Sequence, residues 1–121
     1  MSEIPMLRHG QVWVANLNPR SGAGPWKTRP VLLVQSQALS DAGHPSTLVV
    51  PLTTVLVEDA EPLRIRVAAA DKLRHESDLL IDQIRSIDNK RLIQGPLCQL
   101  PRLLMSRVEI AIREVLDMAE A

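Results

Sequence analysis

Alternating apolar and polar positions predict a chain built mainly of short β-strands. Residues 11–17 alternate with the period of two that a half-buried strand shows, so Trp13 and Val14 should lie on opposite faces. Pro30 begins a second, continuously apolar strand that runs to Val34, because the first residue of a strand tolerates a missing N–H. The same patterns predict three further strands, at residues 47–52, 63–67 and 78–84.

The rest of the chain is predicted as a loop, a connection, a turn and one helix. Glycine and proline make residues 20–28 a loop, and residues 37–46 form a polar connection. A short helical turn, begun by its serine hydroxyl, is expected at residues 86–90, and a short apolar piece at 97–100. Pro101 then begins a C-terminal helix. Its apolar stripe consists of Leu104, Val108, Ala111, Ile112 and Val115. Its solvated side carries Arg102, Arg107, Glu109, Arg113, Glu114 and Asp117.

These elements indicate one small domain. Many short strands followed by one packed helix describe a strongly curved sheet with the helix against it. A chain of 121 residues fits a single compact domain, which we place at residues 1–121. Hydrophobic residues make up 45% of the chain and charged residues 23%, an ordinary globular composition that argues against disorder. The expected fold class is mainly β with a C-terminal helix.

Composition also limits the kind of site and the compartment. No apolar run approaches membrane-spanning length, and the first residues lack the basic start and apolar stretch of a signal peptide. Cys98, the only cysteine, can form neither an internal disulfide nor a cysteine-based metal site, so we expect a buried structural thiol. His9, His44 and His75 show no metal-ligand spacing. We therefore expect a cytoplasmic protein without a membrane span, a metal or another cofactor.

Charge is balanced over the whole chain but not along it. The formal net charge is zero, so the protein as a whole exerts no pull on nucleic acid. Between Glu3 and Asp41, however, there is no acidic residue. Four basic residues fall in that stretch: Arg8, Arg20, Lys27 and Arg29. Such a stretch could hold a polyanion locally, or an acid from elsewhere in the fold could neutralise it.

Two strand ends carry residues that could do chemistry. Arg29 stands at the mouth of the second strand, while Thr53 and Thr54 follow the third. A cation that cannot lose its proton, beside neutral hydroxyl donors, suits a phosphate group better than a carbonyl, a sugar or a metal. Taken singly, Arg29 could also be a surface ion-pair partner and Thr53 a turn hydroxyl.

The order and spacing of three segments resemble those of the MazF/PemK (Kid-type) toxins, which are ribosome-independent endoribonucleases. The segments are Thr-Arg-Pro at 28–30, Val-Pro-Leu-Thr-Thr at 50–54 and Ile-Asp-Gln-Ile-Arg-Ser-Ile-Asp at 81–88. The resemblance runs from about His9 to the C-terminus. It implies an SH3-like barrel of the MazF/PemK/CcdB type, a homodimer, and a cognate antitoxin whose acidic, initially disordered tail covers the active groove.

The same resemblance implies metal-independent cleavage of single-stranded RNA or mRNA. Its catalytic arginine and threonine match Arg29 and Thr53, and its acidic residue matches Asp82. The ribose 2′-hydroxyl would attack the neighbouring phosphate, giving a 2′,3′-cyclic phosphate and a 5′-hydroxyl. Further RNA contacts are expected from Lys27, Thr54, Gln83, Arg85 and Trp26. Trp26 could stack on an unpaired base, but it could also cover the barrel or anchor an antitoxin.

Two positions depart from the family pattern. Gly24 stands where MazF-like loops carry a glutamate, and Leu80 where Kid-type members carry an arginine. If that glutamate is the general base, its role passes to Asp82 or another group, or activity is reduced. Asp82 could instead simply pair with Arg85 or Arg29.

Two other functions fit parts of the sequence. A CcdB-type toxin of the same fold would poison DNA gyrase by protein contact, but it uses an aromatic and small apolar residues at its C-terminus, and this chain ends Asp-Met-Ala-Glu-Ala. A catalytically weak module that only binds RNA or antitoxin would explain Gly24 and Leu80. The endoribonuclease is the leading hypothesis.

Overall fold

The computed structural model of the chain describes residues 6–17 and 28–118. Within these residues the chain forms a seven-stranded antiparallel sheet and a long C-terminal helix, of which the sequence predicted five strands and the helix. The strands are β1 (Gln11–Asn16), β2 (Thr28–Leu33), β3 (Ser46–Thr53), β4 (Arg64–Val67), β5 (Ser77–Leu80), β6 (Arg85–Asp88) and β7 (Leu92–Gln99). The helices are α1 (Gln37–Asp41) and α2 (Arg102–Val115), with 3₁₀ turns at Ile81–Gln83 and Asn89–Arg91.

The central strand β3 changes partner along its length. The sheet runs in the order β4-β5-β3-β2-β1-β7. The first half of β3 pairs with β6, from Ser46 opposite Asp88 to Val49 opposite Arg85. Its end pairs with β5, where Thr53 lies opposite Asp78. The switch occurs around Pro51, which has no N–H to give to a ladder. Consequently, β3 places the chain segments before and after the turn Ile81–Gln83 on one sheet.

Two elements predicted from the sequence differ from the structure. The strand predicted at 78–84 ends at Leu80 and continues as a 3₁₀ turn. The helical turn predicted at 86–90 is instead strand β6, because Ile87 is buried opposite Thr47. A helical turn follows at Asn89–Arg91, and the Asp88 carboxylate, rather than a serine, caps it by accepting the Lys90 N–H at 2.9 Å. Tertiary pairing thus overrides the local cap signal.

Two other segments are more regular than their composition indicates. The apolar piece at 97–100 is the end of the eight-residue strand β7, whose interior Gly95 and Pro96 hide it from a pattern search. The polar connection at 37–46 contains the short helix α1.

Two buried clusters fill the faces of the curved sheet. Strand β1 contributes to both, since Val12 belongs to the larger cluster while Trp13 and Ala15 belong to the smaller one. Burying one such large side chain contributes about 1.5–3 kcal/mol. Trp13 is a core residue within the single chain: it packs so closely on Gly95 that a Cβ there would lie 2.5 Å from the indole ring.

Helix α2 closes the larger cluster. Val108 and Ala111 are buried, and Leu104, Ile112 and Val115 pack partly buried against the same core, as predicted from their spacing. Met105, which the stripe did not include, is buried as well. The charged residues assigned to the opposite side are exposed. Within the described residues, no helix has the length and apolarity needed to cross a membrane.

Candidate active site

Strand register brings Arg29 and Thr53 together. In the antiparallel pairing of β2 with β3, Val31 lies opposite Pro51 and Leu33 opposite Val49. Continuing that register by two residues places Arg29 opposite Thr53, on the sheet face that Val31 also occupies. Residues 29 and 53 are far apart in the chain, but their side chains leave neighbouring strand ends on the same side.

Both side chains line one cleft, which we call the Arg29 cleft. Its volume is about 340 Å³. Its lining consists of Thr28, Arg29, Pro30, Leu52, Thr53, Thr54, Val55 and Ser77. Among the described residues it therefore contains one charged group, a guanidinium, and four hydroxyl-bearing side chains. A forked cation surrounded by hydroxyls is chemically matched to a phosphodiester.

Arg29 is free to bind an anion. It is half-buried, and its backbone is fixed opposite Ala15 of β1. No carboxylate lies within salt-bridge distance of it in the part of the chain that the structure describes. The adjoining residues 18–27 contain no acidic side chain either. The surface ion pair that sequence statistics favour for such an arginine is therefore not formed by any described residue.

Thr53 has a fixed hydroxyl. Its Oγ1 accepts the N–H of Val55 at 3.2 Å, so the turn-hydroxyl interpretation of this residue describes a real contact. That bond uses a lone pair of the oxygen and leaves the hydroxyl hydrogen available to donate into the cleft. The structural and the catalytic interpretations of Thr53 are thus compatible.

The third predicted segment lies beside the cleft rather than in it. Asp82 and Gln83 are exposed on the 3₁₀ turn after β5, and Arg85 is exposed at the start of β6. Arg85 pairs with Val49, so it shares the sheet face of Thr53 but lies four residues earlier along β3. None of the three lines the Arg29 cleft. No described ion pair joins Asp82 to Arg85 or Arg29.

Several predicted positions fall outside the described residues. These are Trp26, Lys27 and the substituted position Gly24. Leu80, the second departure from the family pattern, is buried at the end of β5. Its apolar side chain therefore belongs to the packing of the sheet.

Sequence reasoning missed two hydroxyl-bearing members of the cleft, Thr28 and Ser77. Thr28 directly precedes Arg29, and this adjacency could have suggested it as a site residue. Ser77 is buried and donates its hydroxyl to the His75 carbonyl at 2.9 Å. Its membership depends on β5 pairing with the end of β3, which no local pattern reveals.

The family assignment rests on the whole chain. A family model described as PemK-like, MazF-like toxin of type II toxin–antitoxin system matches residues 8–116. The chain belongs to this family. The resemblance drawn from the three sequence segments is thereby confirmed, and MazF-type toxin is favoured over the CcdB-type gyrase poison.

Individual relatives agree with the assignment. This MazF-like toxin is 32% identical over 91 residues to "Endoribonuclease MazF" of Staphylococcus epidermidis, covering 72% of each chain. It is similar in fold to MazE-MazF (Form-III) from Deinococcus radiodurans, with a TM-score of 0.76, 19% identity, and 95% of this chain and 100% of that one covered. It is also similar to an endoribonuclease solved with its cognate antitoxin from a mycobacterial species, with a TM-score of 0.72, 20% identity, and 98% and 100% coverage.

A second charged region of the MazF-like toxin lies next to the cleft. Buried Asp78, only 1% exposed, binds Arg66 Nε at 2.6 Å and Arg64 at 3.3 Å, and we call these three residues the Asp78 cluster. The cluster lines a cavity of about 420 Å³ with residues of the loop after β3. Alternation along β4 places Arg64 and Arg66 on one face, but it does not identify Asp78 as their partner.

The charge of the Asp78 carboxylate is balanced by the two arginines that bind it. Burial alone would raise the pKa of Asp78. The hydrogen bonds from Arg66, the Val57 N–H and Arg64 outweigh burial and hold that pKa below the usual carboxyl value. The hydrogen bond to Asp78 in turn raises the pKa of Arg66. Both arginines are therefore committed to a carboxylate.

The described residues show neither a metal-holding group nor a reactive thiol. Among the described residues, no group of three or more His, Cys, Asp and Glu side chains could hold a metal ion. Cys98 is buried, as expected from its apolar context, and burial raises the pKa of its thiol, as does the Asp71 charge to a lesser extent. A thiol in that state is a poor nucleophile.

Proposed function

We propose that this MazF-like toxin is a metal-independent endoribonuclease that cleaves single-stranded RNA in the Arg29 cleft. The observation that carries the proposal is a guanidinium with no described carboxylate partner beside a hydroxyl with a free hydrogen. The curated relative from Staphylococcus epidermidis is named an endoribonuclease, which supports the same activity.

The chemistry follows from what each group can donate. The 2′-hydroxyl attacks the adjacent phosphorus, and negative charge develops on the non-bridging oxygens. Arg29 presents two parallel N–H donors to those oxygens and Thr53 adds an O–H donor, so both bind the transition state more strongly than the ground state. A base takes the 2′ proton, the bond from phosphorus to the 5′ oxygen breaks, and an acid protonates that oxygen, giving a 2′,3′-cyclic phosphate and a 5′-hydroxyl.

The mechanism also needs a general base to take the 2′ proton, and we propose that Asp82 is this base. Asp82 and Gln83 lie on an exposed turn between β5 and β6. Arg85 of β6 lies opposite Val49, which precedes Thr53 by four residues, or about 13 Å, along β3. An RNA strand that follows β3 from Thr53 towards Arg85 would pass this turn, where Gln83 and Arg85 can contact a base edge or a flanking phosphate.

Asp82→Asn tests that assignment. The substitution keeps the side chain's shape and removes its proton-transfer capacity, so the cleavage rate should fall far more than RNA affinity. Gly24→Glu in the same chain restores the family residue and should partly rescue the rate. Wild-type cleavage by Asp82→Asn would make Asp82 structural and place the base elsewhere.

The activity itself is tested with purified protein and a long single-stranded RNA in EDTA. Cleavage should persist, and its products should carry 2′,3′-cyclic phosphate and 5′-hydroxyl ends. Cleavage should also weaken with added salt, because a protein of zero net charge depends on a local set of phosphate contacts. Loss of cleavage in EDTA with recovery on adding a divalent ion would contradict the proposal, and binding without cleavage would favour the weak RNA-binding module.

We propose a cognate antitoxin as the protein partner of a cytoplasmic homodimer. The mycobacterial structure of similar fold contains an endoribonuclease with its antitoxin. An acidic tail would pair with Arg29, which has no carboxylate partner among the described residues, and so cover the cleft. An acidic peptide should therefore compete with RNA for binding to the wild-type protein, and Arg29→Ala should lower the affinity of the protein for the peptide. Equal binding of the peptide to both proteins would place the tail elsewhere.

A further inference from the structure

Buried Asp78 stands next to the proposed catalytic threonine. Thr53 lies opposite Asp78 in the β3–β5 pairing, and Arg66 lies opposite Asp78 in the β4–β5 pairing. Directly opposed residues of antiparallel strands project to the same face. Arg66, Asp78 and Thr53 therefore form one row across three strands, with Arg29 continuing it on β2.

The chain after Thr53 is attached to this row by its backbone. Asp78 accepts the Val57 N–H at 2.9 Å. Arg64 donates to the Val55 carbonyl at 2.8 Å, and Arg66 donates to the Val57 carbonyl at 3.4 Å. The segment 55–57 is thus held at one N–H and two carbonyls, and each of these contacts involves a member of the Asp78 cluster.

The same segment holds the Thr53 hydroxyl. The Val55 N–H donates to Thr53 Oγ1, and Val55 also lines the Arg29 cleft. If residues 55–57 move, the donor that fixes Oγ1 moves with them. The Thr53 hydrogen would then sample several directions instead of the one that meets the phosphate.

We infer that Asp78 is a positioning residue for the cleavage reaction: through Arg64, Arg66 and the backbone of residues 55–57 it fixes the direction in which Thr53 donates. The inference rests on the proposed function of the Arg29 cleft. Its physical basis is that a catalytic donor contributes fully only when it is preorganised, and a small displacement from a remote change can cost about 10²-fold in rate.

A purely stabilising role for Asp78 would give a different pattern of effects. Loss of stability lowers the amount of folded enzyme but leaves each folded molecule with its normal Thr53. Loss of positioning lowers the rate of fully folded enzyme and does so only while Thr53 has a hydroxyl to position. The two roles are separable by combining substitutions at 78 and 53.

The first measurement needs no RNA. Backbone order parameters of Val55 and Val57 should be near the rigid value of about 0.85 in the wild type and fall towards about 0.6 in Asp78→Asn. Arg64→Met, which keeps the aliphatic stem and removes the tether to Val55, should loosen the same segment and serves if Asp78→Asn does not fold. Glu58→Gln is the matched control: it removes a carboxylate from Arg66 on the exposed side, where the Glu58 side chain is 80% accessible, and should change nothing.

The second measurement is single-turnover RNA cleavage by fully folded protein. Asp78→Asn should lower the rate by about 10-fold to 10²-fold with little change in RNA affinity, less than the roughly 10²-fold or greater loss expected for Thr53→Val. Adding Asp78→Asn to Thr53→Val should lower the rate no further. Glu58→Gln should cleave at the wild-type rate.

Each result decides the inference. Unchanged order parameters in both Asp78→Asn and Arg64→Met would overturn it, whatever the enzyme does to RNA. A loosened segment with normal cleavage, or losses that multiply in the double variant, would show that Asp78 does not act through Thr53. A wild type that cleaves no RNA would refute the proposed function, while the order parameters would still report whether Asp78 fixes the segment that holds the Thr53 hydroxyl.

Discussion

Two arginine-bearing regions share one face of the sheet, and they differ in what surrounds the guanidinium. Arg66 of the Asp78 cluster binds a buried carboxylate at 2.6 Å and an exposed one, Glu58, at 3.2 Å. Arg29, two strands beyond Asp78 in the same row, has no described carboxylate partner and faces hydroxyls instead.

From this difference we expect the partners of each arginine, rather than the number of basic residues, to determine where a protein of zero net charge binds RNA. A guanidinium already paired with a buried carboxylate would have to give up that pair before it could accept a phosphate, and the carboxylate would repel the phosphate. We therefore expect RNA to bind at the smaller Arg29 cleft rather than at the larger cavity of about 420 Å³. Cavity size alone would point to the larger cavity instead of the proposed site.

The largest expected effect is on the rate at the Arg29 cleft. Arg29→Ala should lower RNA cleavage by about 10²–10³-fold, the typical loss when one preorganised donor to a transition-state oxyanion is removed. Arg29→Lys should also be poor, because an ammonium cannot present two parallel donors. The unfolding free energy should change by less than about 0.5 kcal/mol, since the side chain has no described ion pair. Normal cleavage by Arg29→Ala would remove the central claim.

Substitution of Asp78 should lower stability as well as the cleavage rate. Asp78→Ala leaves two arginines and the Val57 N–H without their acceptor, and we expect a loss of about 3 kcal/mol. That is the lower end of the range for breaking a buried pair, because Arg64 and Arg66 are 24% and 30% exposed and can be partly rehydrated. Denaturant unfolding measures the loss. A change below about 1 kcal/mol would mean that the cluster is solvated like a surface pair.

Local periodicity predicted the fold where one element buries a regular face. Strand β1 and helix α2 follow their patterns because their apolar positions meet a core at the period of the element itself. The pattern failed at β6 and β7, where the deciding contacts come from elsewhere in the chain: Ile87 is buried only because β3 pairs with it, and Trp13 packs on Gly95.

The residues of the site also divide into those that the sequence predicted and those that it did not. Arg29 and Thr53 could be proposed because the order and spacing of three segments resemble the family; taken singly, each also fitted an ion-pair partner or a turn hydroxyl. The Asp78 cluster could not be identified from the sequence, because Asp78 meets Arg66 and Val57 only through the pairing of β5 with β4 and β3. The roles of Asp82, Gln83 and Arg85 stay predictions, because the structure places them on an adjoining turn and strand without a bound RNA.

A pH titration should sharpen the contrast between the two regions. Because the folded-state pKa of Asp78 lies below the ordinary carboxyl value of 3.8, its ionisation stabilises the native state at pH values above 3.8. That stability is lost as the pH falls from about 3.8 through the lower, folded-state pKa. Wild type should therefore lose more unfolding free energy than Asp78→Asn between pH 6 and pH 3. Parallel curves for the two proteins would show that the charge of Asp78 contributes nothing.

The smallest effect is expected from the third arginine of the larger cavity, Arg107. It binds Glu61 at 2.7 Å, but both side chains are about half exposed, at 53% and 51%, so water competes for each charge. Exposed pairs of this kind contribute about 0.2–1 kcal/mol, and Arg107→Ala should cost no more than that in denaturant unfolding. RNA cleavage should stay at the wild-type rate, which makes the variant a matched arginine control for Arg29→Ala. A tenfold loss of cleavage in Arg107→Ala would contradict the distinction between paired and unpaired arginines, because it would mean that an arginine already bound to a carboxylate still contacts the RNA.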